Sequence, residues 1–196
     1  MRNTLMLLAF LLPLGGCGAA PQSYPYAKEP NPQLTEYVIG VADALHITVW
    51  KNSELSTASE VRPDGTITMP LVGDIKAAGL TPSRLKADIA SRLRTFIRED
   101  GAFVTVAVTA VNSYRITVTG NVNQAGMFPS RQYLTVADAV SLAGGPNRFA
   151  SPAKTVLIRN ASGVSKRIPI DYEAIVEGRA PEQNLVLFAG DMLYVP

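Results

Sequence analysis

Hydrophobic positions along this chain recur with two different periods, and the switches between them mark out the elements. Leu45, Ile47 and Val49 alternate with Ala44, His46 and Thr48, so Asp43 to Val49 reads as a strand. A polar loop, Lys51 to Glu60, follows. Pro63-Asp64-Gly65 then supplies turn chemistry: Pro fixes φ, Asp bonds its own backbone, and Gly takes positive φ. Strand residues on both sides of that turn predict a hairpin ending at Pro70, with Leu71 to Ile75 as a further short strand and turn. At Thr81 the period lengthens. Thr81 suits a helix N-cap and Pro82 the first helical position. Leu85, Ile89, Leu93, Phe96 and Ile97 then form one apolar stripe. Arg84, Asp88 and Arg92 share another face at pairing distance, and Arg94 and Arg98 lie toward the end, where cations suit the helix dipole. Ala102 to Val111 is largely apolar on both faces, which predicts a central strand.

The pattern restarts after Asn112-Ser113, which reads as a joint. Tyr114 to Gly120 alternates as a strand, Asn121 to Gly126 is turn-rich, and Met127-Phe128-Pro129 follows. Thr135 with Asp138 has capping-box spacing ahead of a helix carrying Val136, Val140, Leu142 and Ala143, ended by Gly144-Gly145-Pro146. Thr155 to Arg159 and Lys166 to Ile170 read as paired strands, and Asp171 to Val176 as a short helix or turn. Leu185 to Phe188 and Met192 to Val195 close the module. Each half mixes strands with one main helix in runs rather than strict alternation. That predicts an α+β fold in two small modules and argues against a doubly wound sheet.

The N-terminus departs from both patterns. MRNTLMLLAFLLPLGGC has a charged start, an apolar run from Leu5 to Leu14, and small residues before Cys17. The run is about half the ~20 residues a spanning helix needs, so it reads as a signal-peptide core. Leu14-Gly15-Gly16-Cys17 resembles the bacterial lipobox, in which the cysteine sulfur receives diacylglycerol and becomes the first mature residue. The alternative is a plain secretory signal with a chance cysteine at its end. Cys17 is the one cysteine in 196 residues, so no intramolecular disulfide can form. Gly18 stands where Asp would signal inner-membrane retention, which places the anchor in the outer membrane, facing the periplasm. Residues 18–36 hold four prolines and no apolar periodicity. They read as a tether, or equally as a disordered leader with no spacing role.

Composition and chemistry narrow the function by exclusion. Eighteen Lys+Arg against sixteen Asp+Glu give a formal charge of +2, too mild to indicate a nucleic-acid surface. The one histidine, His46, lies in a strand without ligand-spaced partners, so no metal site is expected. The chain carries no nucleophile elbow, P-loop or dinucleotide fingerprint, so no cofactor is expected. Asp64 with Asp74, or Glu99 with Asp100, offer acid pairs of the kind glycosidases use, but nothing in the pattern sets either pair across a cleft. No catalytic residue is assigned, and an enzyme is not expected.

Several motifs in order carry a resemblance. YVIGVADALHITVW, then VRPDGTITMPLVGDIKAAGLTPSRLKADIASRLRTFI, then FVTVAV resemble the polysaccharide export domain of the outer-membrane polysaccharide export lipoproteins. YRITVTGNVNQAGMF, LTVADAVSLAGGPN, TVLIR and NLVLFAGDMLYVP resemble the SLBB module, a β-grasp domain, that follows it in that family. The motif residues are Arg62, Pro63, Asp64 and Gly65 in the first module, and Gly120, Gly126, Gly144, Gly145, Gly190 and Asp191 in the second. The implied division is a signal peptide at 1–16, a lipidated tether at 17–36, the export domain at 37–112 and the SLBB domain at 113–196. One departure is Ala42 before Asp43, where the family carries Gly; if that position takes positive φ, Ala is strained there. VADALHITVW and AGDMLYVP share an Asp-x-Leu pattern that reads as similar turn-into-strand geometry in the two modules.

The resemblance implies a periplasmic component of capsule or exopolysaccharide export, held to the outer membrane by lipid on Cys17. It implies a homo-oligomeric ring forming or extending a conduit for the polymer. It also implies an inner-membrane copolymerase partner, often with a tyrosine-kinase partner. Because nothing follows Pro196, the chain resembles a short member without its own membrane-crossing helix, and a separate outer-membrane β-barrel is expected to complete the exit. The alternative is a periplasmic glycan- or ligand-binding adaptor of the same system that forms no conduit.

Overall fold

Leu45, Ile47 and Val49 form the inner face of β1 (Ala44–Val49) and are at most 2% exposed, while His46 and Thr48 face solvent. The computed structural model describes residues 24–97, 103–161 and 164–196. Cys17 and its signal-like leader, Arg98 and the Glu99-Asp100 pair lie outside the described residues. β1 is the centre of a three-stranded antiparallel sheet. β2 (Thr57–Glu60) lies on one side and β5 (Val104–Ala110) on the other. Two expectations change here. β2 occupies part of the expected polar loop: its side chains alternate only between half-buried and exposed, so β1's free ladder defines it and apolar residues do not. β5 is an edge strand, not a central one. Only Val104 is fully buried, and Val106 and Val108 gain partial cover from the module's core.

The Pro63-Asp64-Gly65 turn forms, with Gly65 at φ 78° and its N–H donating to the Arg62 carbonyl. It carries the chain out of β2 and into β3 (Thr66–Met69), which leaves the first sheet. The hairpin lies one segment later, between β3 and β4 (Gly73–Lys76), with Leu71 at φ 63° in its turn. α1 (Pro82–Leu93) begins as expected, with the Thr81 hydroxyl accepting from the Arg84 N–H at 3.3 Å. It buries Leu85, Ile89 and Leu93 completely against the strands. The helix stops at Leu93, so Phe96 leaves the stripe and is 56% exposed in the turn beyond. Among the described residues, Arg84, Asp88 and Arg92 form no ion pair. Arg92 instead donates to the Asp74 carbonyl at 3.3 Å.

The second module is a five-stranded sheet in the order β7-β6-β10-β8-β9. Its strands are β6 (Arg115–Gly120), β7 (Gly126–Pro129), β8 (Thr155–Ala161), β9 (Val164–Ile170) and β10 (Met192–Val195). β10 enters parallel to β6 and antiparallel to β8, which makes the closing segment a central strand. α2 (Val136–Leu142) and the short α3 (Tyr172–Val176) complete the module. The capping box forms: the Asp138 carboxylate accepts from the Thr135 N–H at 2.9 Å, and the Thr135 hydroxyl accepts from the Asp138 N–H at 3.3 Å. α2 buries Val136, Ala139, Val140 and Ala143, whereas Leu142 turns outward. Leu185 to Phe188 forms no strand. Only Val186 bridges, to Thr135, because the segment runs past the start of α2 and not along a ladder.

The segment expected to be a tether is packed from Tyr24 onward. Two 3₁₀ turns, Tyr26–Lys28 and Pro32–Leu34, lay it against the second module. Tyr24 and Tyr26 pack on that module's core, and the Tyr26 hydroxyl donates to the Pro169 carbonyl at 2.6 Å. Low apolar periodicity marks this segment as loop in sequence; its order comes from two rings and one acid finding distant partners.

Candidate functional site at two buried aspartates and the module joint

Gly40-Val41-Ala42-Asp43 is a tight turn, and Ala42 sits at φ 72° within it. The strain anticipated for Ala in place of Gly is therefore present. The turn aims the Asp43 carboxylate at the joint. One oxygen accepts from the Asn112 N–H at 2.9 Å and the Ser113 N–H at 2.8 Å. The other accepts from the Gly40 N–H at 2.8 Å, the Tyr37 hydroxyl at 2.5 Å and the Ser113 hydroxyl at 3.0 Å. Asp43 is wholly buried. Burial alone would raise its carboxyl. The bonds from Tyr37, Gly40, Ser113 and Asn112 outweigh burial and hold it below the usual carboxylate range. Burial, together with the bond to Asp43, pushes the Tyr37 phenol well up. The Asn112 amide also donates to the Ala42 carbonyl at 2.9 Å. A Cβ at Gly40 would lie 2.3 Å from the Ser113 Cβ. The two modules are thus joined directly, by one ionised side chain and by a close approach of Gly40 to the Ser113 side chain that leaves no room for a Cβ.

The second aspartate repeats the device. Phe188-Ala189-Gly190-Asp191 turns with Gly190 at φ 83°, and the Asp191 carboxylate accepts from the Phe188 N–H at 2.9 Å, three residues back, as Asp43 does from Gly40. In both cases a strand starts at the next residue. The shared Asp-x-Leu pattern is therefore one local structure used twice. Asp191 also receives the Arg159 fork, at 3.2 Å from Nε and 2.8 Å from Nη2. Burial raises the Asp191 carboxyl, and Arg159 pulls it back. Arg159 Nη1 donates to Glu29 at 3.2 Å, and its guanidinium lies 4.4 Å from the centre of the Phe188 ring. Glu29 accepts in turn from Lys166 and the Tyr24 hydroxyl, each at 2.5 Å. The N-terminal segment is clasped to the second module through this buried chain of charges.

The Arg62, Pro63, Asp64 and Gly65 motif forms an exposed network. Arg62 Nη2 lies 3.1 Å from Asp64, 3.0 Å from Asp74 and 2.6 Å from the Thr66 hydroxyl. The Thr66 hydroxyl and N–H hold the Asp64 carboxyl at about 2, and Thr68 with Arg62 hold Asp74 low. Two carboxylates sharing one guanidinium are both ionised, which suits a braced turn and not an acid–base pair. Gly120 takes φ 94° where β6 ends beside β10; a Cβ there would meet the Val195 carbonyl at 2.1 Å. Gly144 and Gly145, both at positive φ, end α2, whereas Gly126 opens β7 with ordinary backbone. His46 is exposed, and among the described residues no group of three or more His, Cys, Asp or Glu could hold a metal. Sequence patterning did not single out Tyr37, Gly40, Asp43, Glu29 or Arg159 as site residues. The repeated turn before each strand was the available signal for the aspartates.

Two α+β modules fused through a buried acid, the first ending where the second begins, define a two-domain class. Residues 31–109 match the family described as polysaccharide biosynthesis/export protein, and residues 115–170 match the SLBB domain. The chain carries a polysaccharide export domain followed by an SLBB domain, and relatives of it are named as polysaccharide export proteins. It is 33% identical to the exopolysaccharide production protein ExoF of Rhizobium meliloti, over 58% of this chain and 29% of that protein. It is 26% identical to the capsule polysaccharide export protein BexD of Haemophilus influenzae, over 79% of this chain and 42% of that one. With the EPS I polysaccharide export outer membrane protein EpsA of Ralstonia solanacearum it shares 25% identity, over 92% of this chain and 53% of that one. The chain therefore spans roughly a quarter to a half of the length of these relatives. Among the described residues, no helix is long and apolar enough to cross a membrane.

Proposed function

We propose that this protein works in the export of a capsule or exopolysaccharide, on the periplasmic face of the outer membrane, held there by lipid on Cys17. The observation that carries this reading is the succession of the two domains in the order of the family, fixed at one joint by Asp43. A joint of this kind transmits orientation from one module to the other, which a ring of repeated subunits requires at every interface. Copies assemble as a closed ring that forms or extends a conduit, and the polymer passes through many weak contacts without a bond being broken. An inner-membrane copolymerase, with its tyrosine kinase where one is present, delivers the polymer.

Two measurements test this. Radiolabelled palmitate should appear in the full chain and disappear in Cys17→Ser; label retained in the variant contradicts the anchor. The mass of the full lipidated chain in detergent should be that of a closed oligomer. A monomer that still binds oligosaccharide would replace the conduit with the adaptor reading.

A further inference from the structure

The outward face of the β6–β7 hairpin carries a cationic groove that neither the buried aspartates nor the turn motifs explain. In this antiparallel pair Arg115 stands opposite Pro129, and Thr117 opposite Met127, so their side chains share one face. The other face sends Ile116, Val118 and Phe128 to the core. Beyond the end of β7 the chain adds Ser130 and Arg131, and the joint contributes Val111 and Asn112. Together these enclose a cleft of about 600 Å³. Arg115 also walls a neighbouring cleft of about 660 Å³, formed where Gly40 and Val41 meet Ala189 and Gly190.

Charge distinguishes this place. No carboxylate lines either cleft. Among the described residues Arg115 and Arg131 pair with no acid, as is also true of Arg84, Arg92, Arg94, Arg148 and Arg167; what sets these two apart is that they share one acid-free cleft. The Arg115 Nε donates to the Asn112 carbonyl at 3.2 Å, which steadies the guanidinium and leaves its two terminal nitrogens without a partner among the described residues. The Arg131 side chain makes no hydrogen bond among them. Met127, 60% exposed, and Pro129 give the same cleft an apolar lining beside the two cations. Two guanidiniums beside an apolar surface match a pyranose that bears a carboxylate. The fork takes the carboxylate bidentately, and the C–H face of the ring covers the apolar surface. The groove is open to solvent, so each contact is weak and a polymer can leave it.

We propose that the Arg115–Arg131 groove is a binding subsite for carboxylate-bearing sugar units, and that the polysaccharide handled is anionic. This rests on the export reading and specifies its substrate class. The full chain in detergent is titrated calorimetrically with a short oligogalacturonate and with a maltooligosaccharide of equal length. The oligogalacturonate should bind and the neutral sugar should not. Arg115→Gln with Arg131→Gln should weaken binding roughly tenfold or more, as loss of two charge-assisted contacts does. Lys86→Gln with Lys154→Gln removes the same charge from exposed positions elsewhere and should leave binding intact. Both double variants should keep the wild-type melting temperature. Equal binding of the two sugars, binding of neither, or equal weakening by the control pair overturns the proposal. So does a chain whose self-association, and not its sugar binding, depends on the two arginines. In a deletion strain the Arg115/Arg131 variant should restore secretion poorly. Full restoration by it sinks the subsite but leaves the export reading standing, whereas secretion by the deletion strain itself sinks the export reading.

Discussion

Ala42 and Gly190 occupy equivalent places, one with a side chain and one without, both in the left-handed region. A left-handed residue with a Cβ costs roughly 1–2 kcal/mol, partly offset by the lower entropy of the unfolded chain. Ala42→Gly should therefore raise the urea midpoint, a stabilisation of about 0.5–1 kcal/mol, with the slope unchanged. Gly190→Ala has open space for its Cβ, so backbone strain alone should destabilise it, by about 1 kcal/mol. An unchanged midpoint in both would refute the shared-turn account. Arg159 is a harsher case because it compensates two buried acids, Asp191 and Glu29. Arg159→Met should cost about 3 kcal/mol or more. Burial already holds the Asp191 carboxyl above its ordinary value, and without the guanidinium it rises further, so part of the lost stability should return as the pH falls through it. A deficit that stays constant with pH would show that packing, not charge, explains the loss.

Elements were legible where the chain signals its own boundaries. Thr81 with Pro82 and Thr135 with Asp138 cap helices through contacts three residues away, so α1 and α2 begin where the residues say. Thr135→Ala should lower stability by about 1 kcal/mol, read from chemical denaturation; no change would mean that the Val186 bridge alone sets the start of α2. Elements were hidden where a distant partner defines them. Thr57-Ala58-Ser59-Glu60 has no apolar alternation and becomes a strand because β1 lies beside it. Ala102 to Val111 reads as central because it is rich in valine, yet valine at an edge strand needs only one helix packed on one face. The packing of Tyr24 to Glu29 could not be read from residues whose partners, Lys166 and Pro169, lie more than a hundred positions on.

Across the whole molecule the central feature is that two cores are coupled through Asp43. Its folded carboxyl is depressed, so its contribution is present above the unfolded value, near 4, and is lost as the pH falls through the folded one. Asp43→Asn should cost about 2 kcal/mol or more at neutral pH and remove this acid sensitivity. It should also split one calorimetric transition into two as the modules uncouple; a single transition in the variant would mean that the joint has other support. The succession of the two domains was legible from motif order alone, because the turns and caps that carry it are local. The joint's place at Asn112-Ser113 was legible too, but the contacts that hold it and the groove were not, because they bring together residues 37–43, 111–115 and 127–131, which no periodicity links. The export role itself is tested most directly by the polysaccharide a strain releases. Deleting the gene should abolish surface and secreted polymer, and the intact chain supplied in trans should restore it. Undiminished polymer at the surface of the deletion strain would contradict the account.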